Sequence, residues 1–595
     1  VFLLFCLKKN AKKMKRIKIL MLLISTLCLS GCNDFFDVSP KGSVALEDYQ
    51  TKLNNLRISL NAVYSLMQTE DYQLSELIFG ESISDNAYNM QDNESSDLSQ
   101  LLNFQFNTEN SYILKRYQVN YRGINLANQV ISAVPNVVYN ADYSSGAQQM
   151  RYILGQAKLL RALFYFNLVR SFGGVPIQPE KSELSQTILA RSSADEIYAY
   201  IEKDLREACL ILYKDRYKDT DAGQAGIGAG LGLLMKVLAY QASPGTALVN
   251  PQRETKWEEA KEIGQLFIDG QSMTYEKMLR FTERYTGTET WDELCKRLVL
   301  TDQNPTLETT ISGDVANVHA LIAFGDLFRL KSKFSKESLL EINHYDYSSS
   351  GSTIDERNLL YRCFNENTSY SVGPVPTQAI YDYRQTDPRG IFTAAAQTDM
   401  GSNFFKDANG KSVTLQWFNT AYGYVFTKYM VYPSEGTVYE RSYLVMRYAE
   451  ALLWYAEILN ETGNQTKATE VLNKVRARAA KLLDSSNEYA QYNTHITSFK
   501  LYSVLPYEEV KKNIQNERRI ELAGEFDRWF DLQRLGLLSE KMTYLASKNS
   551  EAADKNSGKP RWRGKYFKKG VNELMPIPQR EITLSNGVIT QNFGY

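Results

Sequence analysis

The densest concentration of ionisable side chains lies in ERRIELAGEFDRW (517–529), where Glu517, Glu521, Glu525 and Asp527 crowd against Arg518, Arg519 and Arg528. So many carboxylates invite a hydrolytic reading. A glycoside hydrolase needs two of them about 5–10 Å apart across a cleft, in distinct roles. Here Glu517 and Glu521 share a helical face and Glu525 continues it, with arginines interleaved at pairing distance. No two carboxylates stand apart from the rest, so the run predicts an ion-paired helix rather than a catalytic pair. Other chemistries have less to work with. Glycines at 223, 226, 228, 230 and 232 match neither the dinucleotide fingerprint nor a P-loop, since no Gly-Lys-Ser/Thr follows and no strand precedes. His319, His344 and His495, the only three histidines, lie far apart and form no HExxH pattern, which argues against a zinc enzyme, and no cofactor is expected. A structural calcium held by Asp and Asn oxygens stays open. KPRWRGKYFKKG (559–570) gathers six basic residues around Trp562, Tyr566 and Phe567. The whole chain carries 68 basic against 68 acidic residues, without the excess of a nucleic-acid binder, and the run reads as a solvated loop.

A chain of 595 residues, 43% apolar and 23% charged, is folded and too long for one minimal core. Its start stands apart. Residues 1–31 hold seven lysines and arginines and no acid, followed by the short apolar run Ile19–Leu29 and Leu29-Ser30-Gly31-Cys32. A basic stretch, a short apolar stretch and small residues make a secretory signal peptide, too short to span a bilayer. Met14 is a natural start, which would leave 1–13 untranslated. The Leu-Ser-Gly-Cys end resembles the lipobox of bacterial lipoproteins and makes Cys32 the expected lipidated residue and membrane anchor. Removing the leader leaves the chain seven charges acidic, which strengthens the case against nucleic acid. Cys209, Cys295 and Cys363 have no close spacing and suggest neither a disulfide framework nor a redox site.

The elements that must position any site are helical. The stretch 120–134 carries an apolar stripe at helical spacing, and 155–176 is strongly apolar up to Gly173-Gly174 and Pro176, a helix stop. Ser193-Ala-Asp-Glu196 is a capping box opening the next helix. GLLMKVLAYQA (232–242) and the 444–479 segment, broken at Thr462-Gly463-Asn464, complete the pattern. Small residues at helix crossings and tight turns suit tetratricopeptide-type hairpins, which must stack to bury their apolar faces. Four are expected, near 46–134, 150–214, 228–270 and 441–482. The fold class is therefore mostly α, a scaffold of four such hairpins with a long irregular insertion (271–440) of loops, short helices and a few short strands. An insertion of that length is usually functional.

Seven motifs in order resemble the SusD/RagB family of surface nutrient-binding lipoproteins. They are CNDFFDVSPKG after the lipobox, QAKLLRALFYFNLVRSFGGVPI, KVLAYQASPG, KESLLEINHY with PTQAIYDYRQTDPR, LVMRYAEALLWYAEILNETG, NIQNERRIELAGEFDRWFDLQRLG and the ending LMPIPQREITLSNGVITQNFGY. Two departures stand out. Tyrosines at 112, 117 and 121 occupy a segment where many members have tryptophan, and the Gly-rich run stands where the family tends to have alanines. That run predicts a locally altered helix start.

The resemblance implies a lipid-anchored outer-membrane protein facing the cell surface. It would bind an oligosaccharide and deliver it to a SusC-like TonB-dependent transporter, without bond cleavage. A peptide-binding member is the alternative, and a surface glycosidase a more distant one. The implied organisation is a signal peptide (1–31), an N-terminal repeat region (32–270), the ligand-binding insertion (271–440) and a C-terminal region with the last repeat (441–595). In such proteins ligand contacts come from an early loop and from the insertion. Aromatic faces pack on sugar C–H groups while polar side chains pair with hydroxyls. Of the six tryptophans, Trp257, Trp454 and Trp529 fall on scaffold helices and are expected in the core. The expected platform is Tyr88, Trp291 and Trp417, with Asp85, Asn86 and Asn89 as hydrogen-bonding partners.

Overall fold

A computed structural model describes residues 53–88, 96–136, 144–181, 188–212, 223–245, 253–284, 289–300, 310–344, 375–396, 424–429, 442–487, 489–547 and 564–595. Helices dominate. The longer ones are α1 (Leu53–Gln68), α2 (Glu70–Leu77), α3 (Ser111–Ala133), α4 (Ser144–Phe172), α5 (Ala194–Ile211), α6 (Ile227–Ala242) and α7 (Arg253–Phe267). After the short α8 (Trp291–Arg297) come α9 (Tyr448–Glu461), α10 (Gln465–Ala480), α11 (Tyr507–Leu522) and α12 (Arg528–Arg534).

Helix α1 packs on α3, α4 on α5, α6 on α7, and α9 on α10. Successive pairs also touch, through α3–α4, α5–α6 and α7–α9, so a single apolar core runs through the stack. Local signals set the boundaries. The Ser193 hydroxyl accepts the Glu196 backbone N–H at 3.2 Å, and the Glu196 carboxylate accepts the Ser193 N–H at 2.7 Å, closing the expected capping box. The α4 helix ends where Gly173 takes φ +70°, a conformation costly for any side chain. In the α9–α10 turn Gly463 has φ +83°, and the Asn464 side chain caps α10 by accepting the Lys467 N–H. Helix α4 starts at Ser144, eleven residues before the apolar run that announces it, because SSGAQQMRYIL is only weakly patterned.

The glycine run has a packing reason. Helix α6 is buried on every side. A Cβ on Gly228 would sit 2.1 Å from His319 Nε2, one on Gly230 2.9 Å from Cys209 Sγ, and one on Gly232 3.0 Å from Leu339 Cδ1. The glycines let α6 approach α5, the Leu339 segment and the His319 segment at once. The His319 ring has little room to retreat, held edge-on by Phe267, stacked by Tyr448 and bonded to the Lys336 carbonyl. Gly228→Ala should therefore destabilise the protein by about 1–2 kcal/mol despite alanine's better helix propensity. Thermal unfolding of the variant checks this.

Among the described residues, four two-stranded ribbons decorate the stack. Strand β1 (Ala87–Tyr88) pairs with β5 (Val375–Pro376), β2 (Met273–Thr274) with β3 (Thr310–Ile311), β4 (Ser338–Ile342) with β8 (Tyr443–Arg447), and β6 (Ala394–Ala396) with β7 (Tyr424–Phe426). All are antiparallel. A small second apolar cluster forms within the insertion from Phe324, Leu327, Ile391 and Phe392, joined by Leu444 and Leu482 of the C-terminal region. The described parts of 271–440 thus have the expected mixture of short strands, short helices and loops. Among the described residues no helix is long and apolar enough to cross a membrane. Cys32 lies outside the described residues.

Candidate functional site

The carboxylates of the 517–529 run are paired and mostly shielded from solvent. Glu517 and Glu521 on α11 are fully buried, and their partners come from four distant segments. Arg389, after the Asp-Pro turn, reaches Glu517 and Glu521 at 2.7 Å each. Arg447 at the end of β8 spends all five of its N–H donors. It bonds the Glu525 carboxylate twice (2.6 and 2.7 Å), Glu521 at 2.6 Å, Glu337 at 2.9 Å and the Glu521 carbonyl at 2.8 Å. Arg478 of α10 pairs with Glu337 and Glu521, and Lys428, just after β7, with Glu525. Burial alone would raise the Glu521 carboxyl, but Arg478, Arg447 and Arg389 more than offset it and hold it well below the usual range. These carboxylates are coordinated by basic side chains and largely shielded from solvent, an arrangement that fastens the insertion to the C-terminal hairpin. Trp454 is part of the same construction, gripped between the Arg518 and Arg534 guanidinium groups at 4.1 and 4.2 Å. Trp257, Trp454 and Trp529 are all core residues.

The early loop begins from a π-helical turn (Ile78–Ser82) that follows α2. Asp85 and Asn86, expected to meet a ligand, are instead buried at its foot. The Asp85 carboxylate pairs with Arg528 at 2.7 Å and Arg519 at 3.3 Å. Burial would raise its pKa, but the two arginines hold it well below the ordinary aspartate value. Asn86 donates to Glu81 at 3.0 Å and accepts from Arg519 Nε at 3.0 Å. These partners lie over 430 residues away in sequence, so the polar, loop-like appearance of SISDNAYNM concealed a buried anchor.

Glu81 is the exceptional carboxyl of this foot. It accepts from Asn86 and from the Gly524 N–H at 3.1 Å, while its Oε2 meets no hydrogen-bond partner among the described residues. Full burial pushes it up from 4.5 to about 7. Between those pH values the unfolded chain releases a proton that the folded chain keeps, so stability falls as pH rises through that window. The loss amounts to about 3 kcal/mol above pH 7, at 1.36 kcal/mol per pH unit. Glu81→Gln should remove that dependence. Urea unfolding would show the variant more stable than wild type at pH 8 and no better at pH 4.

Beyond the foot, the chain forms an aromatic surface. The Asn86 carbonyl accepts the Thr377 N–H at 2.9 Å, and Ala87–Tyr88 pair with Pro376–Val375. Strand β5 also lies against β7. On this patch the half-buried rings of Tyr381 and Tyr424 stack at 4.4 Å and 28°. Around them stand Gln378, whose amide accepts the Tyr424 hydroxyl and donates to Asp382, and Arg384, with its guanidinium 5.4 Å from the Tyr381 ring. His495 Nε2 bonds the Arg384 carbonyl at 2.8 Å. Apolar ring surface bordered by amide, carboxylate and guanidinium groups suits a hydroxyl-rich ring.

The sequence-chosen platform meets this surface in part. The backbone of Tyr88 lies in β1, on its edge. Asn89 and Trp417 lie outside the described residues. Trp291 sits elsewhere, at the start of α8, half-buried and edge-on to Phe281 at 5.3 Å, while Arg297 of that helix pairs with Glu207 of α5. It therefore belongs to the scaffold flank, where a ring next to a capped helix start finds an apolar neighbour. Tyr381 lay inside a recognised motif, and nothing in its spacing marked it as surface-facing. Among the described residues no cluster of His, Cys, Asp and Glu could hold a metal ion.

This architecture is shared. A family model described as "SusD family" matches residues 335–595, and one described as "Starch-binding associating with outer membrane" matches 34–234. The chain belongs to the SusD family. A SusD-like protein of Formosa agariphila is 23% identical over 89% of this chain and 93% of its own length, and a second from the same organism is 23% identical over 98% and 100%. Among solved structures, a SusD homologue from Bacteroides thetaiotaomicron superposes with a TM-score of 0.67 at 20% identity, covering 94% of this chain and all of the other. A laminarin-binding SusD-like protein gives 0.62 at 23% identity, covering 92% and 100%. Surface glycan-binding protein A of B. thetaiotaomicron gives 0.61 at 17%, also covering 92% and 100%. The last two are described as laminarin-binding and as surface glycan-binding, and the family to which the chain belongs is non-enzymatic.

Proposed function

We propose that this SusD-family protein binds an oligosaccharide on the Tyr381–Tyr424 face. The observation that carries the reading is that stacked, half-buried tyrosine pair, ringed by Gln378, Asp382 and Arg384, where the early loop meets the insertion. Support comes from the solved relatives described as laminarin-binding and surface glycan-binding. Tyr88, Asn89 and Trp417 are kept as proposed ligand contacts. In the fuller form of the proposal the protein is a lipoprotein acylated at Cys32, anchored in the outer membrane and facing the cell surface. It passes its ligand to a SusC-like TonB-dependent transporter without cofactor or nucleic acid. Calorimetric titration of the chain from Asn33 onward with glycan and peptide panels tests the ligand class: saturable glycan binding is expected, and binding to peptides alone would transfer the face to a peptide ligand. Co-purification from solubilised membranes tests the partner, and recovery without a barrel protein would overturn the delivery step.

A further inference from the structure

The two halves of the aromatic face come from distant parts of the chain, and one short turn holds both. On one side, Arg519 Nε bonds the Asn86 side chain at 3.0 Å and its Nη2 reaches the Asp85 carboxylate at 3.3 Å. Arg528 grips Asp85 through two hydrogen bonds, at 2.7 and 3.0 Å, and the Gly524 N–H donates to Glu81. These contacts fix the foot of β1, whose last anchor before the strand is the Asn86 carbonyl bonded to Thr377. On the other side, Gly524 packs on the ring of Phe426 in β7, two residues from Tyr424. Lys428 donates to the Glu521 carbonyl at 2.7 Å and to the Glu525 carboxylate at 2.6 Å. The turn between α11 and α12 thus touches the early loop with its flanking arginines, and the Tyr424 ribbon with its glycine and glutamates.

We propose that Arg519 and Arg528 are positioning residues for the ligand face, clamping the foot of β1 in register with the ribbon that carries Tyr424. The proposal rests on the glycan-binding reading above. Neither arginine needs to touch ligand. Asp85 is buried, the Arg528 and Arg519 side chains are mostly covered, and a double-bonded guanidinium–carboxylate pair fixes orientation as well as distance. A binding surface assembled from two segments keeps its affinity only if their spacing is set before the ligand arrives, since ordering them on binding weakens it. Arg519 is the better probe because its side chain is partly exposed and its loss leaves Asp85 paired with Arg528.

The test combines glycan titration with hydrogen exchange on Arg519→Ala, Arg519→Lys and Asp85→Asn. Arg519→Ala is expected to bind the responsive glycan about five- to tenfold more weakly. Exchange should accelerate across 84–88 and at the Thr377 amide, while scaffold helices α4–α7 exchange as in wild type. Arg519→Lys should recover part of the affinity by pairing with Asp85, a rescue that general destabilisation would not produce. Asp85→Asn, which keeps shape but removes charge, should weaken binding as Arg519→Ala does. Wild-type affinity in both Arg519→Ala and Asp85→Asn, or weakening with unchanged exchange at 84–88, would overturn the clamp and leave the glycan reading intact. A wild-type protein that binds no glycan overturns that reading itself.

Discussion

Replacing Arg447 with methionine should cost about 3–5 kcal/mol of stability, the scale observed when one partner is removed from a buried ion cluster. The carboxylates of Glu337, Glu521 and Glu525 would each lose a charge-assisted hydrogen bond in a region closed to water. Arg389, Arg478 and Lys428 remain to partner them, which keeps the cost within that range. Since folded proteins are stable by only about 5–15 kcal/mol, the variant should unfold at markedly lower urea, followed by tryptophan fluorescence. The exposed pair Lys467–Glu470 is the natural contrast: Glu470→Ala should change stability by less than about 0.5 kcal/mol. If Arg447→Met behaved like the surface variant, the cluster would not be the tie between insertion and scaffold.

The second large effect concerns ligand. Tyr381→Ala and Tyr424→Ala should each weaken glycan binding about tenfold or more, near 1.5 kcal/mol, because a stacked ring supplies most of its contact through one face. The double variant should lose less than the product of the two, since each ring supports the other's orientation at 4.4 Å. Tyr424→Phe keeps the ring and gives up only its hydroxyl bond to Gln378, so its loss should be a few-fold. Both tyrosines are half-buried at the edge of the fold, and thermal midpoints should stay close to wild type. Equal affinity in the alanine variants would move the ligand to another face.

Much of the scaffold was legible in the sequence because its signals are local. The Ser193 capping box, the Gly173 stop and the Thr462–Asn464 turn each act within a few residues, and each appears where its spacing requires. The nature of the 517–529 charges was also legible, since interleaved arginines point to pairing, although their main partners proved to be Arg389, Arg447 and Arg478 rather than neighbours on the same helix. The candidate site was less accessible. Asp85 and Asn86 look like solvated loop residues until Arg519 and Arg528 are brought beside them by the fold. Trp291 looks exposed until Phe281 closes on its ring. Tyr381 and Tyr424 become a pair only because β5 lies beside β7, a contact between short irregular segments that no periodicity announces.

The glycan reading meets its most direct test in calorimetry of the chain from Asn33 onward, titrated with glycan and peptide panels. Saturable binding to at least one glycan, lost or reduced about tenfold in Tyr381→Ala, is the predicted result. Binding to peptides alone, or glycan binding indifferent to Tyr381 and Tyr424, would contradict it.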